Sequence, residues 1–290
     1  MMVQSPNSPS TNVLDALQQW HDGLAEYRLA SPDHLGALER ALGDARRGRL
    51  DQPPPPTLTI LLLGASGAGK SQLLNALAGE TIAASHHVRP TTRQPTIYAH
   101  VSVPPQRLFD YGPVLGELAR KPGAFVTHDR EELRHKILID APDIDSYETA
   151  HRQIVLDLMP AVDVALYVVT AYNYKDDIGW QTVLAERGRR AFAFVMNKWD
   201  PEGKPRVAPG SPDVDEDLRA LLVRGGWDNP LIFRTSARYW LARKTGDPEG
   251  QGPPPEGDQF PELERWLSAG LSTSQIEQIQ RRRRRSLNLL

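Results

Sequence analysis

The sequence predicts a doubly wound α/β fold: a mostly parallel six-stranded sheet with helices on both faces, an N-terminal helical hairpin and a C-terminal helix. Three observations carry this reading. From Leu58 onward, short apolar runs alternate with helical segments. The first run, "LTILLL", feeds the glycine-rich turn "GASGAG" and opens on "KSQLLNALAG", a leucine-rich helix. The fifth run, "AFAFVMN", leads into the polar quartet "NKWD", at the end of a parallel strand where such sheets bind ligands.

In chain order, residues 1–11 are polar and are expected to be disordered. Residues 12–50 are expected to form the hairpin. Asn12 is a suitable N-cap, and Val13, Leu14, Leu17, Trp20, Leu24 and Tyr27 recur at helical spacing. A second helix starts with Ser31 as N-cap and Pro32 at the first helical position. The run "DQPPPPT", residues 51–57, is a stiff proline-rich linker.

Residues 58–270 then make the main domain. Its strands are expected at 58–63, 96–103, 136–140, 162–169, 191–196 and 231–234, with helices including 147–159, 176–187 and 213–224 between them. Residues 104–133 read as an irregular insertion, and 244–258, with "GPPPEG", as a flexible loop. Trp180, Trp199, Trp227, Trp240 and Trp266 are expected to pack against the sheet. Residues 271–290 are expected to be helical and to continue into a segment beyond this chain, because "LNLL" ends without cap or breaker. Arg281–Arg285 reads as a solvated helix end.

Bulk properties narrow the function classes. A formal charge of −2 over 290 residues argues against bulk affinity for nucleic acid or anionic lipid. With no cysteine, disulfides and thiolate metal sites are excluded. The apolar runs are far shorter than the roughly 18 residues of a membrane-spanning helix. No signal peptide, zinc spacing, nucleophile elbow or RNA-binding signature is present, and the expected location is cytoplasmic.

The chemistry concentrates in two motifs. Gly64 to Ser71 reads G-x-x-x-x-G-K-S. Gly64, Ala65, Ser66, Gly67, Ala68 and Gly69 would wrap backbone N–H groups around phosphate oxygens, with Lys70, Ser71 and Gln72 at the start of a helix whose positive end favours anions. Lys70 would supply charge to the β- and γ-phosphates and Ser71 a hydroxyl to Mg²⁺. Asn197, Lys198 and Asp200 form N-K-x-D. A carboxylate there can accept from guanine N1–H and its exocyclic amine, whereas adenine would leave it unpaired. The lysine stem can lie along the base, and the asparagine can tie this loop to the phosphate turn. Ser236 and Ala237, after the sixth strand, can offer a backbone N–H to guanine O6. The ligand expected is GTP or GDP with Mg²⁺.

With these motifs in view, the chain resembles a translation-factor-class (TRAFAC) P-loop GTPase of the Era/TrmE/septin-like branch, which also holds dynamin-like and bacterial dynamin-related proteins. The resemblance covers about residues 57–270, through "GASGAGKS", "RPTTR", "DAPD", "NKWD" and "TSA" in order. It implies that Thr92, or Thr91 one position earlier, closes on Mg²⁺ and the attacking water. It implies too that Asp140 holds the metal through a water. Two positions depart from the pattern. Asp143 stands where the family has the glycine of D-x-x-G, and its carboxylate must face away or meet a metal or a basic group. Ile144 stands where Ras-like enzymes carry a water-orienting glutamine. Gly67 replaces the asparagine of potassium-activated members.

The resemblance therefore implies slow intrinsic hydrolysis, with Lys70, Thr92 and Asp143 as the catalytic candidates and help from a second protomer or a partner. Arg93 and Asp145 are further candidates for that help, while His86 and His87 read as solvated loop residues. The expected role is a GTP-hydrolysing switch or mechanoenzyme of dynamin-like type. Membrane contact would come only through a missing segment, placing the protein at the inner face. The alternatives are an Era-like role in ribosome or RNA maturation, for which only the arginine run speaks, and a GTP-binding switch with negligible hydrolysis.

Overall fold

The computed structural model describes residues 18–24, 35, 57–83, 95–145, 149–199 and 213–270. The chain divides into two units, Met1–Pro55 and Pro56–Leu290. In the first, residues 18–24 and residue 35 are helical. The rest of the expected hairpin and the C-terminal helix at 271–290 lie outside the described residues.

The second unit is built on seven strands: β1 (Leu58–Leu63), β2 (Thr96–His100), β3 (Phe125–His128), β4 (Lys136–Asp140), β5 (Val164–Val169), β6 (Ala191–Asn197) and β7 (Ile232–Thr235). Their spatial order is β3-β2-β4-β1-β5-β6-β7. The strands from β4 to β7 in that order run parallel, while β2 pairs antiparallel to β4 and β3 follows it in parallel. All six residues of β1 are buried, as a strand flanked by parallel neighbours and covered on both faces requires. The chain leaves β1 toward one edge, returns to β4 beside it, and then builds the other half. The order therefore reverses at the carboxyl ends of β4, β1 and β5, the place where such sheets bind ligands.

The helices are α1 (Lys70–Ala78), α2 (Pro113–Ala119), α3 (Thr149–Leu158), α4 (Asp177–Glu186), α5 (Val214–Arg224), α6 (Ala237–Thr245) and α7 (Phe260–Ser268). Strand residues alternate between two cores. Leu61, Leu63, Tyr167, Phe194 and Met196 pack with Val155 of α3, Val183 of α4 and Leu218 and Leu222 of α5. Leu58, Ile60, Leu62, Leu166 and Val195 pack with Leu73, Leu74 and Leu77 of α1 and Phe260, Leu263 and Leu267 of α7. Each fully buried leucine contributes roughly 1.5–3 kcal/mol, so neither face can be uncovered cheaply. Trp180 and Trp227 pack on the first core and Trp240 and Trp266 on the second, while Trp199 is buried in the first.

Two stretches differ from the sequence reading. The sheet has seven strands, not six: β3 lies within the segment expected to be irregular, preceded by α2. It is a four-residue edge strand with only His128 buried, so it carries no burial pattern to read. Residues 244–258 are not a loose loop either, and the first two of them close α6. Pro248–Gly250 is a 3₁₀ turn, and Gly250 lies so close to the Arg243 backbone that a Cβ there would sit 2.0 Å from its nitrogen.

Candidate functional site

The turn after β1 is shaped by two glycines. A Cβ on Gly64 would lie 2.2 Å from the Val168 carbonyl oxygen, so β5 admits no side chain there. Gly69 has φ 89°, and a Cβ on it would lie 2.4 Å from Asn197 Nδ2. The turn is thus clasped between β5 and the end of β6. Gly69 is the N-cap of α1 and leaves its first turn without a side-chain cap, which keeps those N–H groups for an anion.

Lys70 is 4% exposed, and its Nζ donates to Gly64 O at 2.8 Å, Ala65 O at 3.1 Å and Asp143 Oδ1 at 2.7 Å. Asp143 therefore meets a basic group. Two residues on, Asp145 Oδ1 accepts from the Ser66 N–H at 2.6 Å. Between them Ile144 is fully buried in the core, its N–H 3.4 Å from Gly64 O. In the turn after β4 both carboxylates reach the phosphate turn, while the side chain of Ile144, at the glutamine position of Ras-like enzymes, is buried in the first core.

Register places Asp140, the last residue of β4, beside Leu62 of β1. Ser71 Oγ donates to Asp140 Oδ2 at 2.6 Å, while Asp140 Oδ1 is buried and has no hydrogen-bond partner among the described residues. Burial pushes the Asp140 carboxyl up to about 6, against the pull of the Ser71 hydroxyl and the Lys70 charge. A buried carboxylate oxygen short of a partner, next to a serine hydroxyl, is a hard-oxygen donor set that suits Mg²⁺.

Asn197 joins three segments with one amide. Its Nδ2 donates to Ala68 O at 3.0 Å and Gly69 O at 3.3 Å. Its Oδ1 accepts from Thr235 Oγ1 and the Ala237 N–H, each at 3.2 Å. Lys198 has φ 59°, the one positive φ on a non-glycine among the described residues, and its stem passes close to Gly69. The Ser236 N–H donates to Asp258 Oδ2 at 2.6 Å.

Gly64 to Gln72, Asp140, Asp143, Asn197, Lys198, Ser236 and Ala237 thus gather at the carboxyl edge of the sheet. Thr92, with Thr91, Arg93, His86 and His87, lies outside the described residues, as do Asp200 and Arg281–Arg285. Two contributors, Asn75 and Asp258, were missed from sequence, and Asp145, expected as a source of catalytic help, is seen in another role. Asn75, fully buried on α1, takes the Ile82 and Ala83 N–H groups on Oδ1 at 2.9 and 2.8 Å and donates to Ala83 O at 2.9 Å. A lone amide in the apolar face "LLNAL" was the available signal. Asp145 acts as a backbone acceptor, visible only once the turn is folded. Asp258 sits in a proline- and glycine-rich stretch that reads as loop.

Residues 59–198 match the family model described as 50S ribosome-binding GTPase. The chain is 32% identical over 96 residues to GTPase Der of Synechocystis sp., covering 32% of this chain and 21% of that protein. It is 27% identical over 238 residues to GTPase Der of Mycobacterium avium, covering 80% of this chain and 44% of that protein. Among solved structures it is similar in fold to a chain of an oligomerised bacterial dynamin pair that senses and tethers membranes over long range. The TM-score is 0.52 at 14% identity, over 100% of this chain and 47% of that one. The chain spans less than half the length of each of these proteins.

Proposed function

We propose that this chain, whose residues 59–198 match the model of the 50S ribosome-binding GTPase family, binds GTP with Mg²⁺, hydrolyses it slowly, and works as a dynamin-like switch or mechanoenzyme activated by a second copy or a protein partner. In this reading residues 58–270 are the GTPase domain, 12–50 a helical hairpin and 271–290 a helix that transmits its motion. The observation that carries the nucleotide assignment is the Asn197 amide, which binds the phosphate turn to the loop holding Ala237.

Each residue then has a role. The turn Gly64–Gln72 cradles the phosphates, Lys70 neutralises the β- and γ-oxygens, and Asp200 and Ala237 read the guanine edge. Ser71 and Asp140 would hold Mg²⁺, the latter through a water, and the metal when bound supplies charge neutralisation of the phosphates. Thr92 orders the water that attacks the γ-phosphorus as the bond to the GDP oxygen breaks. Ile144 gives that water no polar partner, which supports slow intrinsic turnover. Tyr172 (74% exposed) and Ile178 (42%) lie in the segment that follows β5 at this edge, which supports a partner meeting the nucleotide face.

No helix among the described residues is long and apolar enough to cross a membrane. In this reading any membrane contact is made at the inner face, from the cytoplasm, and not by a spanning helix of the described residues. A second reading, a role in ribosome maturation, draws on the ribosome-binding description of the matched family. Calorimetric titration with GTP, GDP and ATP, with and without Mg²⁺, tests the assignment: both guanine nucleotides should bind and ATP should not. Nucleotide-dependent pelleting with ribosomes rather than with anionic liposomes would favour the second reading.

A further inference from the structure

Asp258 belongs to none of the motifs above, yet it holds the base loop from behind. Its Oδ2 accepts from the Ser236 N–H at 2.6 Å, and its Oδ1 accepts from Trp240 Nε1 at 2.7 Å and the Phe260 N–H at 2.9 Å. The flanking residues are fixed as well. Trp199 Nε1 donates to Glu256 O at 3.1 Å, and Gln259 exchanges bonds with Arg234 through its N–H at 2.7 Å and its Oε1 at 3.1 Å. A carboxylate held by three donors, one from each of three separate positions, is a rigid clamp.

The clamp decides which N–H can serve the base. The Ser236 N–H is taken by a short charge-assisted bond. The next one, on Ala237, is held only at 3.2 Å by Asn197 Oδ1, a long N–H···O contact from which it can turn toward a ligand. We propose that Asp258 is a specificity-determining positioning residue, which fixes the peptide before Ala237 so that the Ala237 N–H meets guanine O6. This rests on the reading above that the 235–237 loop faces the base.

The test uses the full chain and three nucleotides: GTP, 6-thio-GTP, in which only O6 is altered, and ITP, which lacks only the exocyclic amine. The wild type should prefer GTP over 6-thio-GTP by about tenfold, one hydrogen bond's worth. Asp258→Asn should reduce that preference to within about twofold and leave the GTP-over-ITP preference unchanged. Trp240→Phe, which removes one donor to the clamp, should give an intermediate loss and serves if Asp258→Asn does not fold. A wild type without preference against 6-thio-GTP overturns the base-loop reading itself. A wild-type preference that survives in the variants overturns the role of Asp258, and so does loss of both preferences together, which would mark general collapse of the site.

Discussion

Lys70 and Asp143 form a 2.7 Å ion pair whose side chains are only 3% and 6% exposed. The ammonium that a triphosphate needs is thus engaged by the chain's own carboxylate, and a second carboxylate, Asp145, rests on the Ser66 N–H of the same turn. On the proposed function, incoming phosphates would compete with both.

Asp143→Asn keeps the shape of that contact and removes its charge. GTP affinity should rise about tenfold as the competitor weakens. Stability without added nucleotide should fall by roughly 2–4 kcal/mol, because a buried ammonium loses its counter-charge and is left with neutral carbonyl oxygens alone. Titration with a fluorescent GTP analogue and chemical denaturation read the two effects; an affinity that falls instead would show that Asp143 aids binding.

Asp140 predicts a pH and metal dependence. Its folded carboxyl titrates at about 6 against 3.8 in the unfolded chain, so between those values the folded state holds the extra proton. Without metal, stability is fullest below the unfolded value and is lost as pH rises through about 6. Asp140→Asn should therefore stabilise the metal-free protein at pH 8 by on the order of 1–2 kcal/mol while abolishing the tightening of GTP binding by Mg²⁺. Melting curves in chelator at pH 5 and 8 check the first part.

His128 acts with the opposite sign. Burial, then His100 and Arg130, push its imidazole down to about 4, and its ring lies against Tyr98, tilted by 33° with centroids 4.3 Å apart. The unfolded chain takes up a proton near 6.5 that the folded state refuses, so stability should fall by roughly 1–3 kcal/mol as pH drops from 6.5 to 4. Denaturation of His128→Gln, compared with the parent in an Asp140→Asn background, isolates this group; a variant as acid-sensitive as its parent would contradict the assignment.

Asn75 should be as sensitive as a core leucine. Asn75→Ala removes three hydrogen bonds and leaves two N–H groups and a carbonyl at the exit of α1 unpaired, at a cost of roughly 2–4 kcal/mol. GTP affinity should drop with it, since the segment that leads to Thr92 starts here. A midpoint of urea denaturation unchanged from wild type would remove Asn75 from the account.

What sequence could show follows from how local each signal is. β1, its glycine turn and α1 are legible because a strand buried on both faces is one apolar run and the turn needs glycine at Gly64 and Gly69. Asn197 was readable as a link to the phosphate turn because its motif fixes its place at a strand end. β3 was not legible, being a four-residue edge with one buried side chain. The Lys70–Asp143 pair spans 73 positions and the Asp258–Ser236 bond 22, so both depend on the finished sheet. The ordering of residues 244–258 comes from contacts such as those of Asp258, not from composition, which reads as loop.

The most direct test of the central claim is phosphate release from Mg²⁺–GTP over a wide range of protein concentration, with ATP as control. Release from GTP alone should be slow, with a rate per molecule that climbs as the protein is concentrated. Equal cleavage of ATP, or GTP turnover that is fast and independent of concentration, would contradict the claim.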